Sequence, residues 1–310
     1  MTLRVTFLGT SAAVPTVSRN PSSVFINRDG DQLLFDVGEG TQRQMMRNGT
    51  GFGVSDVFIT HLHGDHVLGL PGLLQTWAFT DRTAPVTVYT PVGTRDRLGQ
   101  FMYALEGKPS YPVHIEEVEP GQIAKQGDGY EIRVFATDHD TRSVGYSLVE
   151  DDRKGRYDRE RAEEIGVPVG PLFSRLHAGE SVTLEDGTTV TPDQVVGPPR
   201  PGRTVVHTGD TRPAESVSRA AENADLLIHD GTFASDHRHR ARETAHSTAR
   251  EAAEIAANAG AHRLVLTHIS SRYPGDPAEH REEAAAVFDG TVIVAEDGLE
   301  IDVPFTDVDE

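Results

Sequence analysis

The chain has 310 residues, 37% hydrophobic and 25% charged, which is enough apolar material for a sizeable core and leaves no run long enough to span a bilayer. Its 48 acidic residues outnumber 29 basic ones for a formal net charge of −19, which on its face argues against a polyanionic partner. There is no cysteine, so a disulfide framework and a thiolate metal site are both excluded. In chain order, strand patterns rich in β-branched and aromatic residues cover 3–9, 22–28 and 31–37, the last two joined by a turn at NRDGD. Residues 41–48 read as a short helix, 55–60 as a buried strand, and 66–79 and 94–105 as helices. Strands recur near 86–90, 112–118, 130–137 and 143–149. Beyond them RTVVHTGD and ADLLIHDGTF read as strands around a helix at 214–223. An Ala/Glu-rich helix at 247–259, the strand HRLVLTHI, a helix at 278–288 and a final strand or hairpin in TVIVAEDGLEIDV complete the chain. Such alternation predicts an α/β fold with mixed sheets covered by helices.

Two features qualify this picture. Lysine occurs only at Lys108, Lys125 and Lys154, so nearly all positive charge is arginine. Abundant carboxylates with so little lysine match proteins adapted to high salt, where the Debye length shrinks to about 3 Å; the acidity then records the solvent rather than the substrate. Residues 151–202 break the alternation with the charged run DDRKGRYDRERAEE, then GVPVGPLFSRL, a hairpin-like VTLEDGTTVTP and GPPRPGR. A stretch that long inside a compact domain is expected to be a protruding insertion with a function of its own. The opening segment MTLRVTFLG lacks a basic n-region and a long apolar h-region, so a cytoplasmic location is expected.

The densest chemistry lies in FITHLHGDHVLGLPGLL. His61 and His63, two apart on extended backbone, point the same way and can share one ion; Asp65 and His66, on the turn into the next helix, can reach a second. Imidazole and carboxylate without sulfur suit Zn²⁺, and less tightly Mn²⁺ or Fe²⁺. Two ions need about seven ligands. Three further strand ends, where α/β sheets collect their sites, offer His139 in FATDHDT, Asp210 in VVHTGDT and His268 in LVLTHISS.

The order H-x-H-x-D-H, later His, later Asp in GDT and final His resembles the metallo-β-lactamase superfamily, and LLFDVGEG resembles its first motif, with Asp36 as a structural aspartate. The resemblance implies a four-layer αββα sandwich with a protruding exosite arm, formed by one domain over 1–310 with the arm at about 151–177. It also implies two Zn²⁺ per subunit: one held by His61, His63 and His139, the other by Asp65, His66 and His268, with Asp210 bridging them. Cations so paired lower the pKa of a shared water and neutralise charge on a phosphoryl oxygen.

Within the superfamily, four segments, and with them the insertion, resemble ribonuclease Z, the tRNA 3′-processing endonuclease family. The loop Pro15, Thr16, Val17, Ser18, Arg19, Asn20 is similar to its P-x-K-x-R-N loop, with Ser18 in place of lysine and Arg19 as the remaining cation. LLIHDGTF is similar to its H-E-A-T motif, with Asp230 in place of glutamate, and TAHSTAREAAEIA to its H-S-T loop, with His246, Ser247 and Thr248. VGPLF supplies the arm's Gly170–Pro171, and LTHISSRY matches the segment around the last ligand. The resemblance implies a zinc-dependent endoribonuclease acting on precursor tRNA at the 3′ side of the discriminator base. His246 would protonate the leaving 3′ oxygen, Asp230 would orient it, and Asp65 would steer the nucleophile. Arg19, Asn20, Ser247, Thr248, Gly170, Pro171, Arg153, Lys154 and Arg156 would bind RNA, with Arg159 and Arg161 extending the arm's basic patch. A homodimer and no membrane partner are expected. The alternative is a phosphodiesterase of the same fold acting on small phosphodiesters or other RNA. His114, His177, His207, His237, His239, His262 and His280 are assigned to structure or solvent.

Overall fold

The computed structural model describes residues 1–104, 108–275 and 277–306. The chain divides into two compact units, one formed by 1–149 with 203–306 and the other by 150–202.

The first half of the larger unit contains β1 (Leu3–Gly9), β2 (Ser23–Arg28), β3 (Asp31–Phe35), α1 (Thr41–Asn48), β4 (Asp56–Phe58), α2 (Gly64–Val67), α3 (Leu70–Phe79), β5 (Val86–Pro91), α4 (Arg95–Met102) and β6 (Val113–Val118). The helix expected over 66–79 is two helices, because Gly69 passes against the first motif; a Cβ there would lie 2.1 Å from the Gly38 carbonyl oxygen. Residue 105, the expected end of α4, lies outside the described residues. Next come β7 (Ile123–Gly127), β8 (Tyr130–Ala136) and β9 (Val144–Glu150). β7 was not expected: its side chains are exposed or half-buried, so it carries no apolar periodicity.

The smaller unit contains α5 (Arg159–Glu164), α6 (Pro171–Ala178) and the hairpin of β10 (Val182–Thr183) and β11 (Thr189–Val190). It has its own core of Ala162, Val167, Leu176, Val182, Val190 and Val195. It takes in the whole stretch that breaks the alternation at 151–202, and residue 177, where the arm was expected to end, falls inside α6.

The larger unit resumes with β12 (Thr204–His207), α7 (Glu215–Ala220), β13 (Leu226–Asp230), α8 (Arg238–Glu243), α9 (Ala249–Ala259), β14 (Arg263–Thr267), α10 (Ala278–Ala285), β15 (Thr291–Val294) and β16 (Glu300–Asp302). Strand order is β16-β1-β2-β3-β4-β5-β6 in one sheet and β15-β14-β13-β12-β9-β8-β7 in the other. The terminal segment is thus no hairpin: its two strands join different sheets, and residues 295–299 cross between them.

Two-residue periodicity explains the layering. Leu3, Val5, Phe7, Leu33 and Phe35 of the first sheet meet Ile132, Val134, Tyr146, Leu148, Val205 and Ile228 of the second in one buried cluster. Leu34, Val57 and Val88 face the opposite way and pack with Leu70, Leu73 and Trp77 of α3 and Leu98 of α4. On the far side Val206, Leu227 and Leu264 pack under Val217, Ala252, Ala256 and Ala284 of the second set of helices. The result is the αββα sandwich. Phe35 and Phe58 stack at 4.9 Å between ring centroids and Phe58 and Tyr89 at 4.7 Å, which fixes the ends of β3, β4 and β5 where the site begins. Among the described residues no helix is long and apolar enough to cross a membrane.

Candidate metal centre

The chemistry-bearing residues gather beyond the carboxyl ends of the strands. Asp36 follows β3, His61 lies beyond β4, His139 beyond β8, Asp210 beyond β12 and His268 directly after β14, while Asp230 ends β13. Asp36 and His268 have φ of 55° and 61°, a region uncommon for side chains with a Cβ.

Two donor groups form. In the first, His63 Nδ1 lies 3.0 Å from His61 Nε2 and 3.2 Å from His139 Nε2. Asp210 Oδ2 completes it at 3.6 Å from His61 and 3.9 Å from His139. In the second, His268 Nε2 lies 3.1 Å from Asp65 Oδ2 and 3.3 Å from Asp210 Oδ1, and His66 Nε2 lies 3.6 Å and 3.3 Å from the same two oxygens. Donors about 2.05 Å from a tetrahedral ion are separated by about 3.3 Å, so both groups have the right size for one small divalent cation each. Asp210 gives one oxygen to either group. His66 Nε2 and Asp210 Oδ1 are buried without a hydrogen-bond partner, which a cation would supply.

Outer contacts hold the imidazoles in orientation. The Asp36 carboxylate accepts from Thr60 N–H and Thr60 Oγ1, both at 2.8 Å, and from His66 Nδ1 at 2.7 Å, leaving His66 Nε2 to the centre. His61 Nδ1 donates to Thr60 Oγ1 at 3.0 Å, His139 Nδ1 to the Ala245 carbonyl at 2.9 Å and His268 Nδ1 to Thr232 Oγ1 at 2.9 Å. Burial alone would raise Asp36, but the neighbouring His66 and His207 imidazoles outweigh it and hold the carboxyl far below the usual range. Burial likewise opposes the His66 cation, yet the charges of Asp210, Asp36 and Asp65 raise it well above an ordinary histidine. Burial, reinforced by the charge of His66, drives His61 down. The centre concentrates carboxylate charge that cations would neutralise.

Beside it stands an imidazole–carboxylate pair. His246 Nδ1 lies 2.8 Å from Asp230 Oδ2, so aspartate spans the gap despite being one methylene shorter than glutamate. Asp230 is fully buried and also accepts from Thr232 N–H, Thr232 Oγ1 and Thr211 N–H. Burial alone would lower His246; the charge and hydrogen bond of Asp230, with Asp210 behind, raise it to about 9.

Several expected RNA-binding residues are placed elsewhere. Ser247 and Thr248 are 0% and 1% exposed. Ser247 donates to the Thr211 carbonyl, and Thr248 caps α9 in a capping box with Glu251. Both hydroxyls are thus bonded within the protein, in the segment that carries His246. Arg19 is 6% exposed, with its guanidinium on Thr10 Oγ1 and the Ala295 carbonyl, so it is no surface cation. Asn20 spends its N–H and Nδ2 on Asp297.

In the smaller unit Gly170 precedes Pro171 at the first turn of α6, Lys154 and Arg156 are exposed, and Arg153 Nε donates to the Pro201 carbonyl. Arg159 and Arg161 pair with Glu163 and Glu164. With eleven acidic against seven basic residues over 150–202, the unit as a whole is not a basic patch.

Sequence reasoning missed Thr60, Thr232 and Asp297, and assigned His207 to structure or solvent without its neighbour Asp36. The two threonines stand within or beside quoted motifs; His207 and Asp297 carry no local signal, since only the fold brings them to Asp36 and Asn20.

Sandwich and paired donor groups define a hydrolase of the metallo-β-lactamase fold. The family described as beta-lactamase superfamily domain matches residues 184–269, and that described as anti-Pycsar protein Apyc1 matches 3–154. The chain is 63% identical over 307 residues to a ribonuclease Z of Natronomonas pharaonis, covering 99% of this chain and 100% of that one. It is 62% identical over 309 residues to a ribonuclease Z of Halobacterium salinarum, covering 100% of each. A solved structure of human tRNase Z, short form, superposes with a TM-score of 0.70 at 28% identity, covering 97% of this chain and 99% of that one. The chain belongs to the ribonuclease Z family.

Proposed function

We propose that the chain is a zinc-dependent endoribonuclease that removes the 3′ trailer of precursor tRNA, cutting at the 3′ side of the discriminator base and leaving a 3′-hydroxyl on the tRNA. The observation that carries this reading is the His246–Asp230 pair at the edge of two donor groups joined by Asp210. An acid beside a metal centre suits a poor alkoxide leaving group, whereas a thioester or lactam hydrolase has less use for it.

His61, His63, His139 and Asp210 would hold one cation, and Asp65, His66, His268 and Asp210 the other. When bound, the pair would supply charge neutralisation at the phosphoryl oxygens and an activated water. The chain's own residues do the rest. Asp65, braced by the Ala13 N–H at 2.8 Å, orients the attacking water. His246 keeps its Nδ1 proton on Asp230 and gives the Nε2 proton to the departing 3′ oxygen. Lys154 and Arg156 of the smaller unit meet RNA phosphates, a shape-directed contact suited to tRNA. We include in this reading a homodimer and a cytoplasmic location, both in keeping with the ribonuclease Z resemblance.

The test is incubation of the zinc-loaded protein with a 3′-extended tRNA, mapping both new ends. A tRNA ending in a 3′-hydroxyl after the discriminator, with a 5′-phosphate on the trailer, is the expected result. Cleavage at scattered sites, or of small diesters only, would overturn it.

A further inference from the structure

Asp297 lies on the crossover between β15 and β16, and no step proposed above uses it. Its carboxylate accepts four hydrogen bonds from three separate segments. Thr10 Oγ1, directly after β1, donates at 2.8 Å; the Asn20 N–H and Nδ2 donate at 2.7 and 3.0 Å; Gln44 Nε2 of α1 donates at 2.7 Å. Two of the four come from the end of the loop 11–20. The start of that loop is fastened to the metal centre. The Ala13 N–H bonds Asp65, and the Ala12 N–H donates at 3.0 Å to the carbonyl of Ile269, the residue after His268. The loop's exit is packed as tightly: a Cβ on Gly38 would lie 2.5 Å from the Asp65 carbonyl oxygen and 2.7 Å from the Pro21 carbonyl carbon.

Between these fastenings Val14 and Val17 stand out at 51% and 110% exposure. The loop's basic side chain, Arg19, is turned inward. The exposed residues of the loop, Ala13, Val14, Pro15, Val17 and Ser18, therefore carry no charge and are mostly apolar, able to lie against a base or ribose in a contact that salt does not screen. Ordering a loop costs conformational entropy, and a loop already ordered spares a ligand that cost on binding.

We infer that Asp297 is a positioning residue: it holds residues 11–20 preformed against the metal centre, so that Val14 and Val17 seat the RNA strand next to the scissile phosphate. This inference rests on the RNA-cleaving reading above.

The test compares wild type, Asp297→Ala and Asn20→Ala on a 3′-extended tRNA and on bis(p-nitrophenyl) phosphate, with zinc content measured for each. For Asp297→Ala the expected result is a KM for the precursor raised about tenfold or more, because a misplaced positioning element costs that much. The fall in kcat/KM on the precursor should exceed the fall on the small diester by the same factor, with zinc content kept. Asn20→Ala, which removes the side-chain donor and leaves the carboxylate, should show the same split. The double variant should be no worse than the poorer single one. Equal losses on both substrates, or an unchanged precursor KM, would overturn the inference. A wild type that leaves the precursor uncut while hydrolysing the diester would instead overturn the reading beneath it. If Asp297→Ala fails to fold, the same two substrates are compared with Asn20→Ala alone, and an unchanged precursor KM there is enough to overturn the inference.

Discussion

Asp230 Oδ2 lies 2.8 Å from His246 Nδ1, and the carboxylate is fully buried while the imidazole keeps 14% of its surface open. That asymmetry makes Asp230 the fixed partner and His246 the group able to meet a substrate. Burial lowers His246 and the Asp230 charge raises it, for a net value of about 9. The acid form therefore persists through neutral pH. Asp230→Asn removes the raising charge and leaves the lowering burial, so the alkaline limb of kcat should move to lower pH. His246→Ala should cut kcat by about 10²–10⁴-fold with metal content unchanged. A pH–rate profile of both variants checks the assignment; an unshifted limb in Asp230→Asn would remove Asp230 from it.

Asp36 touches no substrate, yet its carboxylate satisfies Thr60 twice and His66 once. Asp36→Ala strands those three buried donors, at about 1–3 kcal/mol each before relaxation. It should lower Tm clearly and weaken metal binding by about 10–100-fold. Thermal unfolding with chelator competition measures both; wild-type affinity in this variant would contradict the orienting role.

Asp210 gives one oxygen to each donor group, joining the two. Wild type should hold two zinc ions per chain. Asp65→Ala should lose mainly one of them and Asp210→Ala should weaken both. Elemental analysis after dialysis decides, and full occupancy in Asp210→Ala would count against bridging. Chelator treatment should abolish cleavage and added Zn²⁺ restore it.

Val149 of β9 stands opposite Thr204 of β12 in an antiparallel pair, so a short turn can replace residues 150–202. That unit has its own core, and every donor of the metal centre lies outside it. The shortened chain should fold, keep its zinc and hydrolyse small diesters, while its KM for precursor tRNA rises about tenfold or more, the loss expected when phosphate contacts are removed. Undiminished precursor binding would dismiss the unit as an RNA contact.

With 48 acidic against 29 basic residues, the surface repels itself at low ionic strength. Tm should climb as KCl is raised toward molar concentration, where the Debye length is about 3 Å. A flat or falling Tm would mean that the acidity has another cause.

The α/β class and the candidate donors were legible in the chain because both are written locally, whereas the sandwich was implied only by the resemblance to the metallo-β-lactamase superfamily. Apolar residues alternate along the first part of β1 and run without a break in β3 and β12, and H-x-H-x-D-H places four donors on one turn. His139, Asp210 and His268 could be picked because each closes an apolar strand, and closing a strand in this class of fold means facing the site. What those residues touch was not legible. Arg19, Ser247 and Thr248 have the chemistry of RNA ligands, and it took the fold to show that each is buried and bonded to protein neighbours. The extent of the smaller unit was legible as the break in alternation over 151–202, but its core, formed between residues as distant as Ala162 and Val195, was not. By itself, then, the sequence determined which side chains could bind metal and which strands carry them. Only tertiary structure placed the two oxygens of Asp210, expected from the resemblance to bridge, one in each donor group, and decided that another aspartate, Asp297, ties three distant segments together, because both depend on which strand ends and crossovers meet in space.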